Sequence, residues 1–217
     1  MCGRFALAAS PAAIAEYLDC DPPQQFAPRY NIAPTTPVLA RAASGLTFFR
    51  WGLVPSWARD VSMGNRMFNA RAETIREKPS FRNAFKRRRC LVPASGFYEW
   101  HKKGEYKQPF YCHLKQPLFC FGGIWEYWQD GAGNELQSCA ILTTEAVGAM
   151  AQIHQRMPVV IRHENHASWL NHGAESTDEA MDCIAELDAD FEIYPVSSRV
   201  NNSRHEGAGL IEPMAEK

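Results

Sequence analysis

The chain opens Met1-Cys2-Gly3, and an initiator Met before a residue as small as Cys is normally removed during synthesis. Removal leaves Cys2 with a free α-amine and a thiol two carbons apart. The amine of this 1,2-aminothiol, with an ordinary pKa of about 8, is substantially neutral near pH 7, unlike Lys at about 10.4. It can condense with an aldehyde to an imine and close a five-membered thiazolidine, a route closed to an internal Cys. The same pair can serve as an acyl-transfer nucleophile with its own amine as base. Residue types alone leave both chemistries open, beside a Cys that merely sits at a frayed end.

Three further side chains carry proton-transfer or orienting chemistry. Glu99, within Phe97-Tyr98-Glu99-Trp100, is a carboxylate in an aromatic strand, whose apolar surroundings are expected to raise its pKa toward the range useful for proton transfer. Period-2 alternation also allows a solvent-facing strand residue. His154 follows a predicted helix whose negative dipole end favours imidazolium, so it reads as a general acid or as a plain C-cap. Asn69 both donates and accepts, which suits holding an amine and an oxygen in register, and equally suits a turn.

These residues need a frame. The chain has 217 residues, 46% apolar and 22% charged, ordinary globular values that exclude disordered, collagen-like and coiled-coil classes. One domain over 1–217 is expected, with no repeat or linker. Strands are predicted at 46–54, 89–93, 97–100, 110–114, 118–125, 138–142, 158–161 and 191–196, and helices at 11–18, 81–87, 145–152, 167–170 and 177–186. Hairpin-like spacing around Gly104 and Asp130-Gly131-Ala132-Gly133-Asn134 favours an antiparallel α+β fold over βαβ units. Ser10-Pro11 reads as N-cap and N1 of a soluble helix rather than as part of a secretory leader.

Net charge is −1, with 23 Lys and Arg against 24 Asp and Glu, but it is segregated. Residues 59–89 hold ten basic and three acidic side chains, and residues 164–192 hold nine acidic ones and no Lys or Arg. The acidic third is expected to offset the basic middle in the sum and not in space. In 81–87 the apolar Phe81, Ala84 and Phe85 leave Arg82, Lys86 and Arg87 outward, either as a basic face or as the solvated end of a helix.

Seven Cys without C-x-x-C spacing make zinc and a disulfide framework poor expectations, and a reducing cytoplasm suits thiols that pack as small hydrophobes. His163 and His166 are three apart, but no nearby Cys or repeated spacing supports a metal site. No metal or cofactor is expected. No stretch approaches ~18 uninterrupted apolar residues, so no membrane helix is expected.

Met1-Cys2-Gly3-Arg4-Phe5 closely resembles the start of the SRAP family. The resemblance continues through Tyr30-Asn31-Ile32-Ala33-Pro34-Thr35, Trp51-Gly52-Leu53-Val54-Pro55-Ser56-Trp57, Asn69-Ala70-Arg71-Ala72-Glu73-Thr74, Arg89-Cys90-Leu91-Val92-Pro93-Ala94, Gly96-Phe97-Tyr98-Glu99-Trp100 and Ile153-His154-Gln155-Arg156-Met157-Pro158. It spans nearly the whole chain. Residues 61–67 and the tail after Asn202 show no pattern. The resemblance implies an α+β fold on a curved, barrel-like sheet. It implies abasic-site processing, in which Cys2 cross-links to the abasic deoxyribose of single-stranded DNA, with Asn69, Glu99 and His154 completing the active site. Self-processing at Met1 and lyase activity belong to the same expectation, as do a monomeric state and a cytoplasmic, in bacteria nucleoid-associated, location. By the same analogy Arg4, Arg71 and Arg156 contact phosphates, Arg82 is a fourth candidate, and Asn31, Pro34 and Thr143 line the groove. Trp51 and Trp57 read as core and stay outside the site. Competing readings are an N-terminal-nucleophile amidohydrolase, which lacks its downstream motifs here, a thiol peptidase using Cys2, His154 and Asn69, and a non-catalytic single-strand binding module.

Overall fold

The structure is a computed structural model and describes residues 2–172, 176–185 and 190–214. Met1, the predicted site of processing, and Glu186, the predicted end of the last helix, lie outside the described residues. In chain order the first half contains β1 (Phe5–Leu7), α1 (Pro11–Leu18), β2 (Arg29–Ile32), β3 (Pro37–Ala42), β4 (Gly45–Trp51), β5 (Asn69–Arg71) and α2 (Arg82–Arg87). The second half contains β6 (Arg89–Ala94), β7 (Gly96–Lys103), β8 (Tyr106–His113), β9 (Phe119–Gln129), β10 (Glu135–Glu145), β11 (Arg156–Pro158), β12 (Val160–Ile161), α3 (His166–Leu170), α4 (Ser176–Ala185) and β13 (Glu192–Pro195).

Strands β10, β4, β3, β6 and β9 pair in turn, and β9 pairs back onto β10, so this part of the larger sheet closes into a barrel. The predicted α+β fold with a barrel-like sheet is therefore present. It is not wholly antiparallel, because β10 runs parallel to β4 through Ser138↔Arg50 and to β5 through Ile141↔Asn69. A second sheet has the order β13-β8-β7-β1-β2. Its alternation is two-sided. Phe5, Leu7 and Phe97 enter the main core with Trp51, Phe119 and Phe121, whereas Ala6, Tyr98 and Tyr111 pack on Val196, Val200 and Leu210. Phe5 sits edge-on to Trp51 and to Phe121, with centroids 5.2 and 5.7 Å apart, and joins the sheet to the barrel.

Both expected hairpins form. Gly104 turns β7 into β8 at φ 64°, a left-handed value that favours glycine. The Asp130 carboxylate accepts from the Ala132 and Asn134 backbone N–H groups, both at 2.8 Å, and closes the β9–β10 loop. Ser10 caps α1 by accepting from the Ala13 N–H, with Pro11 inside the first turn. The predicted 145–152 helix is instead the end of β10 followed by a 3₁₀ turn, Gly148–Gln152. Pairing of Thr143 to Glu145 with β11 carries the strand that far. Strands β1, β2, β3 and β5 went unpredicted, two of them being only three residues long.

Residues 61–66, which carried no readable pattern, form a 3₁₀ turn held against the barrel. The Arg50 guanidinium donates to the Gly52 carbonyl at 3.0 Å and to Asn65 Oδ1 at 2.6 Å, and Leu53 N–H donates to the Met67 carbonyl at 3.0 Å. Backbone contact between Gly52 and Gly64 is so close that a Cβ on Gly64 would lie 2.4 Å from the Gly52 oxygen.

The charge segregation is less complete in space than in sequence. Arg76 donates to Asp178 at 2.5 Å and to the Thr177 carbonyl, tying the basic middle to the acidic helix α4. Arg88 pairs with Glu126 at 2.7 Å. Arg89 is fully buried and donates to the carbonyls of Phe85, Trp169 and Asn171. Each of these local bonds satisfies a cation that the sequence count left free.

Candidate active site

β1 lies on β7 with Phe5 opposite Phe97, and Tyr98 N–H donates to the Arg4 carbonyl at 2.9 Å. Continued outward, this register brings the N-terminal residues alongside Glu99, and the Cys2 thiol senses that carboxylate. Cys2 is buried, and its thiol is pushed far above the ordinary value, by burial first and by Glu99 second. The sulfur is thus held as the protonated thiol.

β5 supplies the second side of the site. Asn69 Nδ2 donates to the Cys2 carbonyl at 2.8 Å, and Asn69 Oδ1 is buried and has no hydrogen bond among the described residues. That oxygen is a spare acceptor beside Cys2. Two bonds to the preceding carbonyl fix the strand: Trp51 Nε1 and the Ile141 N–H both donate to Phe68 O, at 2.8 and 3.0 Å.

His154 follows the 3₁₀ turn, and its backbone N–H donates to the Met150 carbonyl. The turn spans five residues rather than a full helix, so the dipole invoked for this His is correspondingly small. Its Nδ1 accepts from the Arg156 backbone N–H at 2.9 Å. The Arg156 carbonyl oxygen lies 3.1 Å from the same nitrogen, so Nδ1 has a partner in either tautomer.

Gly3, Arg4, Glu99, Trp100, Lys107, His154 and Asn201 line one cleft of about 480 Å³, with Cys2 buried beside it. Glu99, only 3% exposed, is an inward residue and not the solvent-facing alternative. A larger, mainly apolar cavity of about 640 Å³ lies between α1, the end of β8 and β13, and none of the four catalytic candidates lines it. The smaller cleft is the candidate site, because Glu99 and His154 line it together with Gly3 and Arg4, the residues that follow Cys2.

The expected DNA-contact residues divide into three groups. Arg71 is exposed, and among the described residues it enters no ion pair. Arg156 is already committed, donating to both Glu73 oxygens at 2.6 and 2.8 Å and to the Thr143 carbonyl at 2.6 Å. That contact lowers the Glu73 pKa and buries Thr143 beneath the pair. Arg4 donates to Asn31 Oδ1 and to the Val200 carbonyl, both at 2.7 Å, and its guanidinium lies over the Trp100 ring. Asn31 is buried, and its amide donates to the carbonyls of Asn202 and His205, so it anchors the 200–205 segment under Arg4. Pro34 is half-buried, next to Thr35 with φ 73°. Arg82 is exposed, but α2 packs mainly on β9, β6 and α4, away from the elements that carry the catalytic candidates. Trp51 is fully buried as expected, whereas Trp57 is 57% exposed and not core.

Sequence reasoning missed Lys107 and Asn201 as cleft residues, and it missed Glu73 as the partner of Arg156. The Glu73 pairing arises because the 3₁₀ turn of residues 72–74 follows β5, and β5 and β11 both pair with β10 near Thr143, an adjacency with no local signal.

The family model for SOS response associated peptidase (SRAP) matches residues 1–203. The chain belongs to the SRAP family. It is 41% identical to the abasic site processing protein YoaM of Bacillus subtilis over 98% of each chain. It is 32% identical to the abasic site processing protein HMCES of Rattus norvegicus over 88% of this chain and 66% of that one. Among solved structures, a protein from Bacteroides thetaiotaomicron superposes with a TM-score of 0.87 at 24% identity, covering 98% of this SRAP chain and 100% of its own. A phage-related protein from Bordetella bronchiseptica gives 0.72 at 30% identity, covering 91% and 95%.

Proposed function

We propose that this SRAP chain processes abasic sites by capturing the ring-opened deoxyribose of single-stranded DNA on Cys2, as a thiazolidine. The relatives' shared name, abasic site processing protein, supports the substrate. The observation that carries the chemistry is that Glu99 and His154 line one small cleft with Gly3 and Arg4, while Asn69 holds the carbonyl of Cys2 beside it.

His154 gives a proton to the ring oxygen of the closed sugar as the C1′–O4′ bond breaks, and the proton of the C1′ hydroxyl leaves to water, which returns one to the imidazole and frees the C1′ aldehyde. Glu99 takes a proton from the Cys2 ammonium, and the neutral amine adds to C1′. Loss of the carbinol oxygen as water, protonated through Glu99, leaves the imine. The thiol then adds to the imine carbon, its proton passing to nitrogen, and the five-membered ring is complete. Asn69 holds the Cys2 carbonyl throughout and offers Oδ1 to the amine. The order rests on the α-amine, whose ordinary pKa of about 8 supplies a neutral nucleophile near pH 7. Elimination from the imine accounts for lyase activity, and hydrolysis of the Met1-Cys2 bond accounts for the free amine. A cytoplasmic monomer acting on lesion-bearing single strands fits this reading.

The test is intact mass after incubation with abasic single-stranded DNA and denaturation. The purified chain is expected to lack Met1 and to gain the mass of the DNA minus one water. Cys2→Ala should abolish the adduct while retaining reversible binding. Equal cross-linking by a chain whose α-amine is blocked would refute the thiazolidine.

A further inference from the structure

Two of the cations expected to meet phosphates, Arg4 and Arg156, are held by protein acceptors. The uncommitted charge beside the cleft lies elsewhere. Lys102 of β7 and Lys107 of β8 are directly opposite partners in the ladder, so their side chains leave the same face of the sheet. Both are exposed, neither is in an ion pair among the described residues, and Lys107 lines the cleft with Glu99 and His154. Like charges directly opposite one another destabilise a sheet, so the fold gains nothing from this pairing.

The position is well fixed. The next residue, Gln108, donates to the carbonyls of Pro109 and Val196 at 2.9 and 3.0 Å and staples β8 to the 196–214 segment. By alternation the row Tyr98, Trp100, Lys102 shares one face of β7. Arg4 lies over Trp100, so a cationic strip runs from Arg4 to the two lysines along the five-stranded sheet. Arg71 stands on the other sheet, in β5. A strand of DNA whose abasic sugar enters the cleft between them would present phosphates to both.

We propose that Lys102 and Lys107 together hold a backbone phosphate of the bound single strand, on the side of the abasic nucleotide opposite the phosphate that meets Arg71. This rests on the reading of the chain as a DNA-capturing protein. The two ammonium groups recognise the phosphodiester without regard to base, as point charges.

Anisotropy titrations of the full chain with abasic oligonucleotides, each carrying one neutral methylphosphonate linkage, test it at several salt concentrations. The wild type is expected to lose affinity when a linkage on either side of the lesion is neutralised. In Lys102→Ala/Lys107→Ala, neutralisation on one side should have no further effect while the Arg71 side still responds. The log-log salt dependence should flatten by about 0.7, for the loss of one phosphate contact. Lys102→Arg/Lys107→Arg should restore both, which separates charge from a misfolded hairpin. An Ala double variant that responds to every linkage as the wild type does, with an unchanged slope, overturns the proposal. Failure of the wild type to form a denaturation-resistant adduct would overturn the Cys2 chemistry alone, since the linkage map is read from reversible binding.

Discussion

Glu99 and His154 are assigned to different steps, and substrates that skip one step can separate them. In the proposed mechanism Glu99 acts on the Cys2 amine, so Glu99→Gln should slow capture both of the closed abasic sugar and of a simple open-chain aldehyde placed on DNA. The role proposed for His154 is to open the sugar, so His154→Ala should slow capture of the closed sugar and largely spare the pre-opened aldehyde. A missing general acid or base costs ~100-fold to 10,000-fold, well beyond the error of a gel-based rate. Equal slowing of both substrates by a folded, DNA-bound His154→Ala would move this residue to the imine step.

Among the elements, the 3₁₀ turn Val61–Arg66 acts on the site at one remove. It is held to the barrel by the Gly52–Gly64 approach and by Arg50. The chain leaves it through Met67 and Phe68, whose carbonyls are both bonded, to deliver Asn69 under Cys2. Gly64→Ala forces a Cβ to within 2.4 Å of the Gly52 carbonyl oxygen and 2.9 Å of Val54, an overpacking expected to cost about 1–3 kcal/mol. Thermal unfolding should show a lowered Tm, and capture should slow as Asn69 shifts. Gly131→Ala, where an added Cβ meets nothing within 4 Å, should leave both unchanged. Matching Tm values for the two variants would show that the turn yields without strain.

Over the whole molecule, pH sensitivity is expected at a place remote from the cleft. His166 at the start of α3 packs against Tyr17 and His163, with ring centroids 5.5 and 5.0 Å away. Burial, with His163 and Arg41 adding to it, lowers its pKa from 6.5 to about 4. The folded state therefore resists a proton that the unfolded chain accepts, so the unfolded state binds more protons between these values and stability rises with pH there. The contribution is complete above about 6.5 and is lost as pH falls to about 4. His166→Gln should flatten the fall in Tm across that window relative to the wild type, with the carboxylates common to both. Parallel Tm profiles for the two proteins would remove His166 as the source.

Much of this chain is legible without coordinates because its signals are local. The Ser10-Pro11 helix start, the Gly104 and Asp130 turns and the long alternating strands each depend on neighbours within a few residues, and each stands where the sequence puts it. The family motifs likewise single out Glu99, Asn69 and His154. What tertiary structure alone decides is which charges and which short strands have partners. Strands β1 and β5 are three residues long and exist because β7 and β10 offer them hydrogen bonds. Arg156 reads as a free phosphate ligand until Glu73, 83 residues away in sequence, takes its fork. Lys102 and Lys107 become a pair only through the register of a hairpin. A residue's type fixes what it can bind, but whether that capacity is left over for DNA depends on acceptors that folding brings from distant parts of the chain.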